Sequence, residues 1–179
     1  MLRDGWLTTV FWIDHFGICV NDIDISSKFY ESLFETTPVD RVVWKGDNSV
    51  YLSKLLGVTK MEVEAVYFQI PYSNTLLELL EYRGLDNEVD NLSATSVGAT
   101  HLGFFVDSVE ESIKRLESIG FEDFSEPTDI PYGPYSGGKT VYFSDPDMVN
   151  LQMMDVRSRP GKLPILLPGA PVPQYESAR

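Results

Sequence analysis

The feature that most constrains this chain is an internal repeat. The segment Asp14–Phe34 aligns without gaps with Thr100–Gly120 at a constant offset of 86 residues, and seven of the 21 aligned positions are identical. The only two histidines, His15 and His101, occupy the same position of the repeat. Such a chain builds two copies of one unit, and neither copy buries its apolar face alone. Because imidazole is the commonest metal-binding side chain, the paired histidines indicate a site built from both halves.

The first half predicts a strand, a helix and three further strands. The apolar run Ile13–Val20 is rich in β-branched residues, as a buried strand is. Asp22 and Asp24 are typical helix-start residues, and Ile25–Phe34 carries its apolar side chains on one helical face. The predicted strands after this helix are Arg41–Trp44, Val63–Ile70 and Thr75–Tyr82.

The second half repeats this order. His101–Val106 predicts a strand, and Val109–Ile119 predicts a helix that ends at Gly120. The strands that follow are predicted at Phe121–Phe124, Lys139–Ser144 and Val149–Asp155. We therefore expect an α+β fold in which two βαβββ modules form one cup-shaped mixed β-sheet.

The predicted modules belong to a single domain over residues 1–156. Module one covers about 11–83, a polar and acidic linker covers 84–97, and module two covers about 98–156. The tail 157–179 contains five prolines, too many for a helix or a central strand. Its apolar patch at Leu163–Leu167 fits a segment that lies on a surface of this chain or of a partner, and disorder is the alternative.

Charge and composition exclude several classes of partner. The 179-residue chain has a formal net charge of −13, which would repel nucleic acids and disfavours anionic membranes. No apolar run is long enough to span a bilayer, and the N-terminal residues lack the pattern of a signal peptide. The single cysteine, Cys19, excludes an intrachain disulfide and fits a reducing compartment. We expect a cytoplasmic protein that binds neither nucleic acid nor membranes.

Four segments of the two halves carry a family resemblance. They are DHFGICVNDID from Asp14, TLLELLEY from Thr75, THLGFFVDSVEES from Thr100 and VYFSDPDMVNLQMMD from Val141. Together with the paired modules, they resemble the vicinal oxygen chelate superfamily, which includes glyoxalase I, methylmalonyl-CoA epimerase, extradiol dioxygenases, and fosfomycin and bleomycin resistance proteins. The resemblance spans roughly Ile13–Asp155, and the layout is most similar to the single-domain glyoxalase- and epimerase-like members.

The resemblance implies one metal ligand from the first and last strands of each half. These positions hold His15, Glu78, His101 and Gln152. The chain departs from the family at the last of them, because Gln152 stands where Glu is usual and Met148–Val149 replaces Gly-Asn after the Asp-Pro-Asp turn. Two imidazoles, a carboxylate and an amide oxygen suit a divalent ion such as Zn, Ni, Co, Mn or Fe, with positions left for water or substrate.

A reaction that removes a proton also needs a base. The amide of Gln152 cannot accept a proton at neutral pH, so the candidates are Glu78 itself and, on the preceding strand, Glu62 and Glu64. With one carboxylate ligand, a divalent ion keeps about one net positive charge, whereas two carboxylates would leave the site near neutral. The ion with one carboxylate is therefore the stronger Lewis acid.

The resemblance implies a metal-dependent lyase or isomerase that binds a small molecule through adjacent oxygens and abstracts a proton from it. Two alternatives stay open: a ring-cleaving Fe(II) dioxygenase, and a non-catalytic resistance protein that binds a drug or metabolite. Relatives dimerise, and the strand edges of a sheet-built cup need cover, so we expect a homodimer.

Overall fold

The structure is a computed structural model that describes residues 13–58, 61–85, 92–133 and 135–155. Module one contains β1 (His15–Cys19), α1 (Ile23–Phe34), β2 (Asp40–Trp44), a 3-10 helix (Gly46–Ser49), α2 (Val50–Leu56), β3 (Glu62–Gln69) and β4 (Leu76–Arg83). Module two contains β5 (Leu102–Val106), α3 (Val109–Glu117), β6 (Thr128–Asp129), β7 (Lys139–Ser144) and β8 (Asn150–Asp155). Within these ranges, no helix combines the length and apolar character needed to cross a bilayer.

The two modules have the same topology. The first sheet has the strand order β1-β4-β3-β2 and the second has the order β5-β8-β7-β6. In each sheet the first strand of the module runs parallel to the last, and the remaining pairs are antiparallel. The predicted α+β fold of two βαβββ modules is confirmed. The single cup-shaped sheet expected from the sequence is divided into two four-stranded sheets, one in each module.

A side-chain cap starts each of the two long helices, and the sequence predicts the first of them. The side chain of Asp22 accepts hydrogen bonds from the backbone N–H groups of Asp24 and Ile25, which have no partner inside the helix. Ser108 caps α3 in the same way, through the N–H of Glu111. The chain turns out of α3 at Gly120, whose φ of 94° lies in the left-handed region that glycine adopts without strain.

One apolar core joins the two modules. Side chains from one face of each sheet take part, namely Ile18, Val66, Phe68, Leu77, Leu79, Val141, Phe143, Leu151 and Met153. From α1 come Phe29 and Tyr30, both fully buried, and the Phe29 ring meets Phe121 of module two edge-on with 4.7 Å between the centroids. Because both sheets turn one face to this core, the residues that alternate with the core positions lie on the outward faces.

The turn before β8 fastens module two to the start of α1. Asp147 accepts hydrogen bonds from the backbone N (3.0 Å) and Nδ2 (2.8 Å) of Asn21 and from Ser26 Oγ (2.9 Å). The Tyr30 hydroxyl donates to Asp145 at 2.9 Å within the core. Burial raises the pKa of the Tyr30 hydroxyl and of the Asp145 carboxyl. These polar contacts fix the orientation of the modules, since a buried carboxylate is costly without its donor.

Two parts of the chain differ from the sequence prediction. Phe121–Phe124 is not a strand, because Phe121 packs into the core against α1 and only Phe124 forms a bridge, to Phe143. The short edge strand β6 takes its place. The 3-10 helix and α2 were not predicted. Residues 86–91 of the linker and the tail 157–179 lie outside the described residues, so the prediction for the tail stays open.

Candidate metal centre

His15 and Glu78 lie on the outward face of the first sheet. The strand register places Gly17 of β1 and Tyr67 of β3 on either side of Glu78 in β4. The residues that precede and follow Glu78, Leu77 and Leu79, are fully buried in the core. Glu78 therefore points away from the core, on the same side as His15, which is two residues before Gly17.

The two side chains form one half of the predicted ligand set. His15 Nδ1 is 2.9 Å from Asp14 Oδ2, and His15 Nε2 is 3.6 Å from Glu78 Oε2. The side chain of His15 is 49% exposed, whereas that of Glu78 is 16% exposed. A carboxylate on one imidazole nitrogen fixes the ring so that the other nitrogen can bind a metal. His15 thus directs its second nitrogen toward an oxygen of Glu78.

Tyr67 holds the other oxygen of Glu78. Its hydroxyl donates a 2.6 Å hydrogen bond to Glu78 Oε1. Burial raises the pKa of Tyr67, and the hydrogen bond and the nearby charge of Glu78 raise it further, so the phenol stays protonated. Oε1 is therefore occupied and Oε2 faces His15. The sequence prediction did not assign Tyr67 this contact, which only the register of β3 against β4 reveals.

Module two places the equivalent residues on the outward face of its own sheet. Gln152 lies on the outward face of the second sheet, between Gly103 of β5 and Tyr142 of β7. Its Nε2 donates to Thr140 Oγ1 at 2.9 Å. The His101 ring lies edge-on to Tyr142, with 5.4 Å between the centroids. The second half of the predicted ligand set is thus also on one outward face.

Both glycines leave room beside the ligand oxygens. A Cβ atom at Gly17 would lie 3.6 Å from Glu78 Oε2, and a Cβ atom at Gly103 would lie 3.7 Å from Gln152 Oε1. These are ordinary van der Waals distances, so an alanine would fit but would cover one side of the oxygen. The absence of a side chain at each position keeps that side open.

The other two predicted bases lie elsewhere. Glu64 faces the opposite side of the sheet from Glu78, because it is three positions from Tyr67 along β3 and Tyr67 pairs with Glu78. Arg41 Nε and Arg83 Nη2 each bind one of its oxygens at 2.7 Å. Desolvation acts to raise the pKa of Glu64, but the two arginines outweigh it and leave the pKa below its usual value. Glu62 is exposed on the same side as Glu64, so neither carboxylate is positioned to serve His15 and Glu78.

The two ligand pairs do not meet within one chain. In the described parts of the chain, no three His, Cys, Asp or Glu side chains lie close enough together to hold an ion. The reason is the shared core, which both sheets face from the side opposite their ligand pairs. The chain presents two separate pairs, one of imidazole and carboxylate and one of imidazole and amide oxygen, and the four donors together fit a divalent metal ion.

Comparison with known proteins agrees with the fold described above. Residues 12–153 match the model of the Glyoxalase/Bleomycin resistance protein/Dioxygenase superfamily. The chain belongs to this superfamily. The matched residues include both modules and all four predicted ligand positions of this chain. A search of curated proteins gave no match.

Solved structures of other superfamily members have the same fold. A glyoxalase family protein from Bacillus cereus has a TM-score of 0.68 at 16% identity, covering 83% of this chain and 96% of its own. A glyoxylase/bleomycin resistance protein/dioxygenase domain from Frankia sp. EAN1pec has a TM-score of 0.56 at 22% identity. The alignment covers 82% of this chain and 98% of the Frankia chain. A mutant of the fosfomycin resistance protein FosX from Listeria monocytogenes, complexed with Mn(II) and 1S,2S-dihydroxypropylphosphonic acid, has a TM-score of 0.53 at 14% identity, with 81% and 92% covered.

Proposed function

We propose that this protein is a metal-dependent lyase or isomerase that acts on a small molecule bound through adjacent oxygens. The observation that carries the proposal is the pair of half-sites on the outward faces. His15 Nε2 lies beside Glu78 Oε2 in module one, and in module two His101 contacts Tyr142, which pairs with Gln152. The FosX relative, which was solved with Mn(II) and a dihydroxy phosphonic acid, supports a divalent ion and a substrate rich in oxygen.

The two half-sites are completed between two copies of the chain. Each half-site offers only two donors, whereas catalytic sites for transition metals usually take at least three ligands from protein. Both half-sites lie on outward faces, and His15 is half exposed, so a second copy can approach them. A two-fold dimer places module one of each copy against module two of the other and creates two equal sites.

The ion would be held by His15, Glu78, His101 and Gln152, and this set of donors suits Zn, Ni, Co, Mn or Fe. The bound ion would supply Lewis acidity to the oxygens of the substrate. Glu78 is the one carboxylate among the three predicted bases that lies on the ligand face, so it is the group that takes the proton from the substrate. Gln152 carries no charge and takes no part in proton transfer.

Two variants produced in one cell test the sharing of the site. We would co-express His15→Ala and His101→Ala chains with different tags and purify the mixed dimer. In this dimer one site has both histidines and the other has neither, so we expect about one ion per dimer. Each variant alone should bind almost none, since every site then lacks one imidazole.

The wild-type protein, stripped and reloaded with Mn²⁺, is the reference and should bind about two ions per dimer. If it binds none, the metal-dependent function is wrong. If the wild type binds ions and the mixed dimer does not, each site lies within one chain. Only the proposal that two chains form each site is then wrong. Light scattering on the same samples should give twice the 20.2 kDa mass of the chain.

A further inference from the structure

Both oxygen ligands are held from the neighbouring strand by a hydroxyl group. In module one the Tyr67 hydroxyl donates to Glu78 Oε1 at 2.6 Å. In module two Thr140 Oγ1 accepts from Gln152 Nε2 at 2.9 Å. The hydroxyl comes from β3 in one case and from β7 in the other, so the same strand of each module supplies it. The residues differ, but each leaves one oxygen of its ligand directed toward the glycine of the next strand.

The hydrogen bonds of Thr140 fix which end of the amide faces outward. Thr140 Oγ1 donates its single proton to the backbone carbonyl of Met153 at 3.0 Å. It can therefore only accept a bond from Gln152, and an amide nitrogen can donate one whereas an amide oxygen cannot. A flipped amide would place two oxygens against each other. Oε1 of Gln152, the atom that can bind a metal, is thus the end that points away from Thr140.

Tyr67 determines in the same way which oxygen of the Glu78 carboxylate is directed toward His15. Its one proton is used on Oε1, which leaves Oε2 of Glu78 as the oxygen 3.6 Å from His15 Nε2. Without this hydrogen bond the carboxylate could rotate and present either oxygen. The side chain of Glu78 would then lose the fixed orientation that a preformed site depends on.

We propose that Tyr67 and Thr140 are positioning residues, which select the oxygen that Glu78 and Gln152 present to the metal; this inference rests on the proposed function. Neither residue acts on the substrate in this account. Removal of either hydroxyl should weaken metal binding by about 10–100-fold, as is typical when a partner of a metal ligand is lost. The fold should remain, because both exchanges keep the shape of the side chain.

The test is the Mn²⁺ affinity of Tyr67→Phe and Thr140→Val, measured by calorimetry on the full-length protein. Thr140→Ser retains the hydroxyl and should bind nearly as the wild type does. Tyr142→Phe is the matched control for Tyr67→Phe, since Tyr142 has the corresponding register position opposite Gln152 and meets His101 through its ring. The absorption spectrum of the Co²⁺-loaded forms should change in both positioning variants and not in the two controls.

The outcomes separate this inference from the proposed function. If the wild type binds no ion, both are wrong. If the wild type binds ions and Tyr67→Phe and Thr140→Val keep its affinity and spectrum, only the positioning role is wrong. A loss in Thr140→Val that Thr140→Ser does not restore would also contradict it, because the effect would then come from packing. Melting temperatures of the metal-free variants show whether the fold is retained.

Discussion

The two half-sites share one geometry but divide the chemistry between them. Each has a histidine two residues before a glycine of its first strand, and a proposed oxygen ligand that is hydrogen-bonded to a hydroxyl group. Module one places a carboxylate there, whereas module two places a neutral amide. The repeat thus preserves the positions of the proposed donors, and the difference between Glu78 and Gln152 would confine both the negative charge and the proposed base to module one.

The largest effect is expected when each of the two residues is changed, in separate variants, to the type found in the other module. Glu78→Gln removes the proposed base while it keeps an oxygen donor, so we expect proton abstraction to fall about 10²–10⁴-fold with much of the metal retained. Gln152→Glu keeps the ion, adds a negative charge and lowers its Lewis acidity, so activity should change only modestly. The measurement is exchange of solvent deuterium into a bound substrate or analogue.

Two results would contradict the division. Equal losses in the two variants would mean that both positions depend equally on their own residue and that module one holds no special base. Full exchange in Glu78→Gln would mean that another group takes the proton, or that the chemistry needs no proton abstraction. The second result would favour the ring-cleaving dioxygenase or the non-catalytic binding protein.

A smaller effect is expected from the two glycines. A methyl group at Gly17 would lie 3.6 Å from Glu78 Oε2 and 3.5 Å from Leu80 Cδ1, so Gly17→Ala should fold but should lower Mn²⁺ affinity about tenfold. Gly103→Ala should have less effect, because its methyl would meet the flexible Met154 side chain. Calorimetry measures the affinity.

The melting temperature controls for folding in this pair. Alanine is better than glycine inside a strand, by roughly 0.5–1 kcal/mol, so neither variant should melt below the wild type. A tenfold loss at Gly103 with none at Gly17 would reverse the comparison. It would indicate that the amide oxygen is the more crowded ligand atom.

The sequence predicted the fold well because its signals were local and repeated. The predicted bounds of β7, Lys139–Ser144, are those of the structure. The helix α2 is not predicted because its 7 residues are too few for a periodic pattern to be recognised, and none of them is buried. The sequence predicts a strand at Phe121 because apolar residues follow the helix there. The same pattern also fits a residue that only packs into the core, and tertiary packing decides between the two.

The candidate site was less predictable because it depends on strand register. His15 and His101 were evident from the repeat, but the contact of Tyr67 with Glu78 links residues 11 positions apart and follows only from the pairing of β3 with β4. The same pairing places Glu64 on the opposite face from Glu78, which separates two carboxylates that the sequence could not distinguish.

The smallest effect on catalysis is expected at Glu64. Glu64→Gln should leave deuterium exchange and Mn²⁺ affinity unchanged, because the residue lies on the opposite face from Glu78. It should lower the free energy of unfolding by about 1–2 kcal/mol, since a neutral amide makes weaker hydrogen bonds with Arg41 and Arg83 than a carboxylate does.

The cost of Glu64→Gln should also depend on pH. The pKa of Glu64 in the folded protein is below its ordinary value of 4.5, so the folded state favours the charged form. Its contribution is present above that value and is lost as the pH falls through the lowered pKa. Urea unfolding of both proteins should therefore give a difference in stability at neutral pH that narrows in acid. A difference that is constant with pH would mean that Glu64 stabilises the sheet by packing, and a loss of deuterium exchange would return Glu64 to the candidate bases.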